Sequence, residues 1–114
     1  MSAHDADMKE TEVIYGQTDS GMTIIEGHLF LNGKKPIQQR SSYGLGEVIK
    51  AALDNHTEHL VISLGGIGSF DGGAGMLQAL GATFYDDEAQ IVDMRKGADS
   101  VSYTHLTLPT KRIV

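Results

Sequence analysis

The sequence predicts an α/β fold, a partial mixed sheet in which a β-hairpin precedes a helix, a strand, a glycine-rich loop, a second helix and a further strand. Three observations predict it: short β-branched runs separated by turn formers, apolar residues at helical spacing, and a nearly continuous apolar run typical of a parallel strand. With 114 residues the chain is long enough to close a modest hydrophobic core. We expect residues 1–9 to be a polar segment and residues 10–100 to form one α/β domain.

A hairpin is predicted over residues 12–26. "EVIYG" and "MTIIE" are β-branched runs, and the "QTDSG" between them contains the turn formers Asp, Ser and Gly. Residues 27–40 contain Asn, Gly and Pro at positions that interrupt both periodicities, so we expect this segment to be irregular.

A helix is expected from Gly44 onward. Ser41, Ser42 or Gly44 can cap its start, and Asn55 with His56 can end it. Its apolar residues recur at intervals of three, four and seven, which places them on one helical face. They are Leu45, Val48, Ile49 and Ala52.

The next segments predict a βαβ unit. "HLVISL", residues 59–64, is typical of a strand covered on both faces. After the glycine-rich loop, Met76, Leu77 and Leu80 share one face of a helix that Gly81 would end. "ATFYD" then follows as a strand, and the crossover of such a unit is almost always right-handed.

Composition and charge exclude several classes of function. The net charge of −6 and the scattered basic residues argue against a nucleic-acid partner, because such binding depends on clustered Lys and Arg. The absence of cysteine excludes disulfides, thiolate metal sites and Cys nucleophiles. No apolar run approaches the roughly 20 residues that cross a bilayer, and the start of the chain is acidic, so we expect a cytoplasmic protein with no membrane partner.

The last residues follow no pattern that continues from the rest. Residues 101–110 resemble one reading frame of the transposase adapter used in preparing sequencing libraries. We interpret residues 101–114 as an artefactual tail and expect the natural sequence to stop near Ser100. The side chains of this tail therefore carry no functional inference.

The glycine-rich loop has two physical explanations. A glycine within a helix costs about 1 kcal/mol relative to alanine, so its use indicates close approach either of another backbone segment or of a ligand that needs bare N–H groups. Its place after a parallel strand favours a phosphate or carboxylate ligand. Neither the dinucleotide fingerprint nor the Walker A spacing fits, so a ligand site and a structural tight turn both remain open.

Asp71, at the end of this loop, also has two interpretations. As an N-cap its carboxylate would accept bonds from the next turn and contribute about 1 kcal/mol. As a functional group it would be a metal ligand or a general base beside a bound phosphate. An anionic cap repels an anionic ligand, so a bound phosphate would require a divalent cation or a displaced Asp71 side chain.

"RSSYGLGEVIKAALD", followed by "HLVISLGGIGSFDGGAGMLQALGATFYD", resembles the glycerate kinase family in its bacterial, D-glycerate-phosphorylating form. In that family T-[ST]-x-G-x-G-E/Q-L-I precedes a helix, and a strand leads into G-G-S-A-T-N-D-G-G-A-G-M-x-Q-A-L-G. "YGQTDSGMTIIEG" is similar to the family's hairpin, so the resemblance covers about residues 10–95. It implies part of a larger two-domain kinase that uses ATP and Mg²⁺ to phosphorylate D-glycerate.

The resemblance also implies a site. Asp71 would be catalytic and is the candidate metal ligand. The implied substrate- or phosphate-binding residues are Gly65, Gly66, Ser69, Gly72, Gly73, Arg40, Ser41, Ser42 and Glu26. Ile67 and Phe70 stand where the family has Ser and Asn, which removes two polar side chains from the loop.

Three hypotheses follow. The chain is a fragment of a glycerate kinase, inactive by itself; or it is a non-catalytic α/β module that binds a small anion at the glycine-rich loop, for which Ile67 and Phe70 are the best support. The third is a purely structural half-domain with an apolar face left bare.

Overall fold

The computed structural model describes residues 1–27, 30, 33–63, 71, 73–96 and 105–107. In these residues short strands accompany two α-helices, which confirms the α/β class. The strands are β1 Ser2–His4, β2 Glu10–Glu12, β3 Gly16–Gln17, β4 Met22–Glu26, β5 His59–Ser63, β6 Thr83–Tyr85, β7 Ile91–Val92 and β8 His105–Thr107. The helices are α1 Tyr43–Asp54 and α2 Ala74–Ala79. Neither helix, nor any other in the described ranges, is long and apolar enough to cross a membrane.

The parallel pairing joins β4 to β5, with Met22 opposite His59 and Glu26 opposite Ser63. The connection between these strands contains α1, so the βαβ unit is β4, α1 and β5. The unit predicted around α2 is wrong, because β6 pairs antiparallel with β7 on one edge and β8 on the other. β6 therefore lies in a sheet separate from that of β4 and β5 in the described residues.

The predicted hairpin is present but shorter than expected. Its arms are β3 and β4, and the turn between them places Gly21 at φ 89°, a conformation that favours glycine. Glu12 belongs instead to β2, which pairs with β1 in a separate hairpin at the start of the chain. The first residues, expected only to be polar, therefore contribute the buried side chain of Ala3 to the core.

Helix α1 lies where the spacing predicts it, with Ser42 and Asn55 as its caps. The four residues of its predicted apolar face are at most 6% exposed. Full burial of a large apolar side chain contributes about 1.5–3 kcal/mol, so this face anchors the main core. The core packs it against side chains of three strands, namely Ala3, Ile25, Leu60 and Ile62.

β5 is covered on one face in the described part of the chain, so the prediction of burial on both faces is wrong. Leu60 and Ile62 pack on the core, whereas Val61 is 45% exposed. Its partner Ile24 on β4 is equally exposed, at 45%. The cause is that α1 and the main core cover one face of this three-stranded sheet, so that the central and edge strands are exposed alike on the other face.

The two helices pack closely because α1 has a glycine at the contact. A Cβ at Gly46 would lie 2.9 Å from the Met76 Cα and 2.7 Å from the Ala79 Cβ, and closer still to the Met76 carbonyl oxygen. Real Cβ atoms essentially never lie so close to backbone. This glycine therefore allows the approach of α1 to α2.

Replacing Gly46 with alanine is expected to separate the helices and to destabilise the chain by about 2 kcal/mol, the usual cost of overpacking. Gly16→Ala is the matched control, because a Cβ there meets only the Ile24 Cβ at 3.9 Å. Urea unfolding of both variants measures the difference. Equal midpoints for the two variants would contradict the proposed contact.

Candidate functional site

Asp71 lies at the junction of the two helices and joins them through hydrogen bonds. It is 2% exposed. Its Oδ2 accepts the Ser42 N–H at 2.8 Å, the Ser42 hydroxyl at 2.8 Å and the Gly75 N–H at 3.1 Å. Its Oδ1 accepts the Gly73 N–H at 3.0 Å. The carboxylate thus accepts N–H groups at the start of α2, as the capping interpretation expects, although the N-cap residue itself is Gly73, and it also holds the start of α1.

The two serines before α1 are buried and committed to structural bonds. The Ser42 hydroxyl accepts the Met76 N–H at 2.9 Å, in addition to its bond to Asp71. The Ser41 hydroxyl donates to the Met94 carbonyl at 3.1 Å and accepts the Tyr43 N–H at 3.2 Å. Both side chains tie the start of α1 to neighbouring segments.

Gly75 belongs to the same junction and was missed as a site residue. A Cβ there would lie 2.8 Å from the Tyr43 nitrogen and 2.9 Å from Asp71 Oδ2, and closer still to the Ser41 hydroxyl. The sequence feature that could have identified it is the "DGGAG" run, in which Gly75 is the third glycine. It lies one residue after α2 begins at Ala74. Gly73, the N-cap residue of α2, takes φ 80°, a left-handed conformation that favours glycine.

Most of the predicted glycine-rich loop lies outside the described residues. The predicted residues that lie outside the described ranges are Gly65, Gly66, Ile67, Ser69, Phe70 and Gly72. Glu26 is exposed at the last position of β4, opposite Ser63 at the end of β5. The carboxyl ends of parallel strands are where ligands bind in α/β sheets, and the loop leaves β5 at this end.

Arg40 lies in the turn that leads into α1. Its Nε donates to the Lys35 carbonyl at 2.9 Å. Its charge also lies near enough to Asp7 to help lower the pKa of that carboxyl. Among the described residues no group of three His, Asp or Glu side chains is arranged to hold a metal ion.

Asp7 is a buried acid that sequence reasoning did not single out. It is 7% exposed, and its carboxylate accepts the Lys34 N–H at 2.7 Å and the Lys35 N–H at 3.0 Å. The Lys34 bond, followed by the Lys35 bond and the charges of Arg40 and Lys9, holds the pKa of Asp7 below 3.8, against the opposing effect of burial. An isolated acid in a polar segment gave no signal of this role.

A second group of polar residues surrounds Tyr43, at the start of α1. The His4 Nδ1 lies 2.7 Å from Glu47 Oε1, and the His4 ring meets the Tyr43 ring edge-on at 6.0 Å. The Arg95 guanidinium lies 5.7 Å from the centre of the same tyrosine ring. Arg95 also forms an ion pair with Asp93 at 2.6 Å.

That ion pair shifts both groups toward their charged forms. The hydrogen bonds from the Arg95 guanidinium hold the pKa of Asp93 well below its usual range, and Asp93 raises the pKa of Arg95. Gln78 reinforces the arrangement, because its amide donates to Asp93 at 3.0 Å and accepts the Met94 N–H at 2.6 Å. The segment after β7 is thereby fixed against α2.

The chain matches the model of the glycerate kinase family over residues 2–109. It is 44% identical to a glycerate kinase of Bacillus cereus (strain ATCC 10987 / NRS 248) over 54 residues, which are 47% of this chain and 14% of that protein. It is 48% identical to a glycerate 2-kinase of Escherichia coli (strain K12) over 46 residues, 40% of this chain and 12% of that protein.

A solved structure shares the fold. It is the crystal structure of a protein assigned provisionally as glycerate kinase 2, from Salmonella typhimurium LT2. The TM-score is 0.84 with 27% sequence identity, over 92% of this chain and 29% of that one. The chain thus spans less than a third of this structure and about an eighth of the two sequence relatives.

Asp7→Asn tests the buried acid through its pH dependence. Because the pKa of Asp7 is lower in the folded chain, its charge stabilises the fold above pH of about 4, and that contribution is lost as pH falls through the folded pKa. Unfolding free energy of the parent chain should therefore fall more steeply between about pH 5 and pH 3 than that of the variant.

Asp19→Asn is the control, since Asp19 is an exposed acid in the turn before β4. It should keep the pH profile of the parent chain. An Asp7→Asn profile that runs parallel to the parent profile would show that the carboxylate does not stabilise the fold.

Proposed function

The chain belongs to the glycerate kinase family, and from that premise we propose that it is part of a kinase that transfers the γ-phosphoryl group of ATP to a hydroxyl of D-glycerate. In this reaction the bond between the γ-phosphorus and the ADP oxygen breaks, an oxygen–phosphorus bond to glycerate forms, and the hydroxyl proton leaves. The observation that carries the proposal is the family match across the segment that contains Asp71 and its two helices.

The two oxygens of Asp71 have separable roles in this proposal. Oδ2 accepts three bonds and fixes the helix junction. Oδ1 accepts one bond from the described residues, and an ionised carboxylate has room for about four in total. We assign the catalytic role to Oδ1, which would accept the hydroxyl proton or a cation.

Mg²⁺ and ATP are proposed on the family's chemistry. Mg²⁺ is commonly bound by one or two carboxylates together with substrate phosphates and waters, so Asp71 Oδ1 suits it without a larger acidic cluster. Glu26, exposed at the end of β4, is the second carboxylate proposed at this edge. When bound, the cation neutralises charge that develops on the phosphates.

The remaining predicted residues divide into two groups. Residues of the loop, Gly65, Gly66, Ser69, Gly72 and Gly73, are proposed to bind phosphate through backbone N–H groups. Ser41 and Ser42 are proposed to position the segment that follows the loop rather than to contact substrate. Their buried hydroxyls already form hydrogen bonds with other residues of the chain, namely Met94, Tyr43, Asp71 and Met76. Arg40 is proposed to attract the anionic substrates to this side of the chain.

The isolated chain is proposed to be inactive, since it spans only a small part of the length of its relatives. A cytoplasmic location is proposed with the kinase function. The alternative is a module that binds a small anion without catalysis. Ile67 and Phe70 favour that alternative, because they replace two polar positions of the family's loop. Phosphate transfer to D-glycerate by the longer gene product separates the two functions.

Residues 101–114 are proposed to be foreign to the natural gene on their resemblance to adapter sequence. The family match continues to residue 109, and β8 lies within this segment. Sequencing genomic DNA across the codon for Ser100 decides the matter. A genomic continuation that encodes "SYTHLTLPT" would refute the proposal.

Asp71→Asn in the longer gene product tests the role of Oδ1. Asparagine can place its single oxygen at the Oδ2 position and so keep three of the four bonds. Its NH2 group then faces the Gly73 N–H, so we expect a cost of about 1–3 kcal/mol. Turnover should fall by about a hundredfold or more, because the acceptor at Oδ1 is lost. ADP release with D-glycerate, and melting temperature, are the two measurements.

Ser42→Ala is the matched control. It removes the hydroxyl that bonds Asp71 and Met76 but keeps Oδ1, so melting temperature should fall while turnover of the folded enzyme stays within a few-fold of the parent. If Asp71→Asn lost turnover only in proportion to stability, Asp71 would be a cap and nothing more.

A further inference from the structure

A cavity of about 640 Å³ opens beside the segment that follows β7. Its polar lining consists of His4, Lys35, Gln39, Asp93, Arg95 and Lys96. Among the described residues that line it, three are cationic and one is a carboxylate, in a chain whose net charge is −6. Arg95 and Lys96 are adjacent in sequence, and the fold adds Lys35 from a distant segment.

The charges of the cavity are not equivalent. Arg95 is paired with Asp93 through three bonds between 2.6 and 2.9 Å, so these two charges largely cancel. Lys35 and Lys96 are exposed ammonium groups and provide a formal excess of two positive charges. A cleft with an excess of one sign concentrates ligands of the opposite sign.

Both walls of the cavity are held by partly buried hydrogen bonds. Asp7 fixes the backbone of Lys34 and Lys35 on one side. On the other side Gln78 binds Asp93 and the Met94 N–H, and the ring of Tyr43 supports the Arg95 guanidinium. The lysines therefore project from fixed segments, which is a property of a formed site.

We propose that this cavity binds a small molecule whose phosphate groups carry two or more negative charges. Its volume lies in the range of about 300–1,000 Å³ that is usual for small-molecule sites. Ammonium groups are effective phosphate ligands as point charges, and two of them match a polyphosphate better than a single carboxylate. The proposal goes beyond the proposed function, because none of the lining residues was predicted from the kinase motifs.

Titration calorimetry of the full 114-residue chain with inorganic tripolyphosphate tests the proposal. Lys96→Glu should weaken binding by about tenfold or more, because it exchanges attraction for repulsion at the site. Lys50→Glu makes the same charge change at an exposed position on α1 and should alter affinity by less than about twofold, since screening weakens distant charges. Equal weakening by both variants would overturn the proposal.

Asp93→Asn provides a change in the opposite direction. Removal of its charge leaves Arg95 available to the ligand, so tripolyphosphate should bind several-fold more tightly, with circular dichroism as the check that the chain is folded. If Lys96→Glu prevents folding, Lys35→Ala replaces it as the test variant. It should also weaken the binding of tripolyphosphate.

D-Glycerate is the second arm of the titration. Binding of D-glycerate at the cavity with no binding of tripolyphosphate would identify a carboxylate site and overturn the phosphate assignment. Absence of binding by either probe would also overturn it. The measurement needs no turnover, so its failure would leave the proposed kinase function untouched, and loss of kinase activity in Asp71→Asn would leave this site untouched.

Discussion

The Asp71 carboxylate is the interaction on which the rest of the structure depends. It is buried and it collects four donors from Ser42, Gly73 and Gly75, so one side chain satisfies backbone groups at the starts of two helices. A buried carboxylate is tolerated only when its oxygens are bonded in this way. Asp71 consequently fixes this point of the glycine-rich loop relative to α1.

Close approach explains two glycines of this junction, whereas Gly73 is favoured by its left-handed φ of 80°. Gly46 admits α2 against α1, and Gly75 admits Asp71 and the turn before α1. The two explanations offered for the glycines therefore apply to different parts of the chain. Packing accounts for Gly46 and Gly75, whereas a bound anion remains the proposal for the loop before Asp71.

The candidate site was partly predictable. A carboxylate just before a helix predicts a cap from local chemistry alone, and Ser42 before α1 is predictable in the same way. Asp7 and the cationic cavity were not predictable, because each depends on segments far apart in sequence. Asp7 binds the backbone of Lys34 and Lys35, which follow it by 27 and 28 positions in the sequence. The cavity is lined by residues as far apart in sequence as His4 and Lys96.

The sequence by itself determined α1, its buried face and its caps, and it carried the motif by which the family is identified. These are local properties, since helical hydrogen bonds and caps connect residues within one turn. Only the tertiary structure decided that β5 pairs in parallel with β4, that β6 joins a different sheet, and that β5 is covered on one face. Strand pairing is non-local, so an apolar run specifies that a strand forms but leaves open which edge it meets.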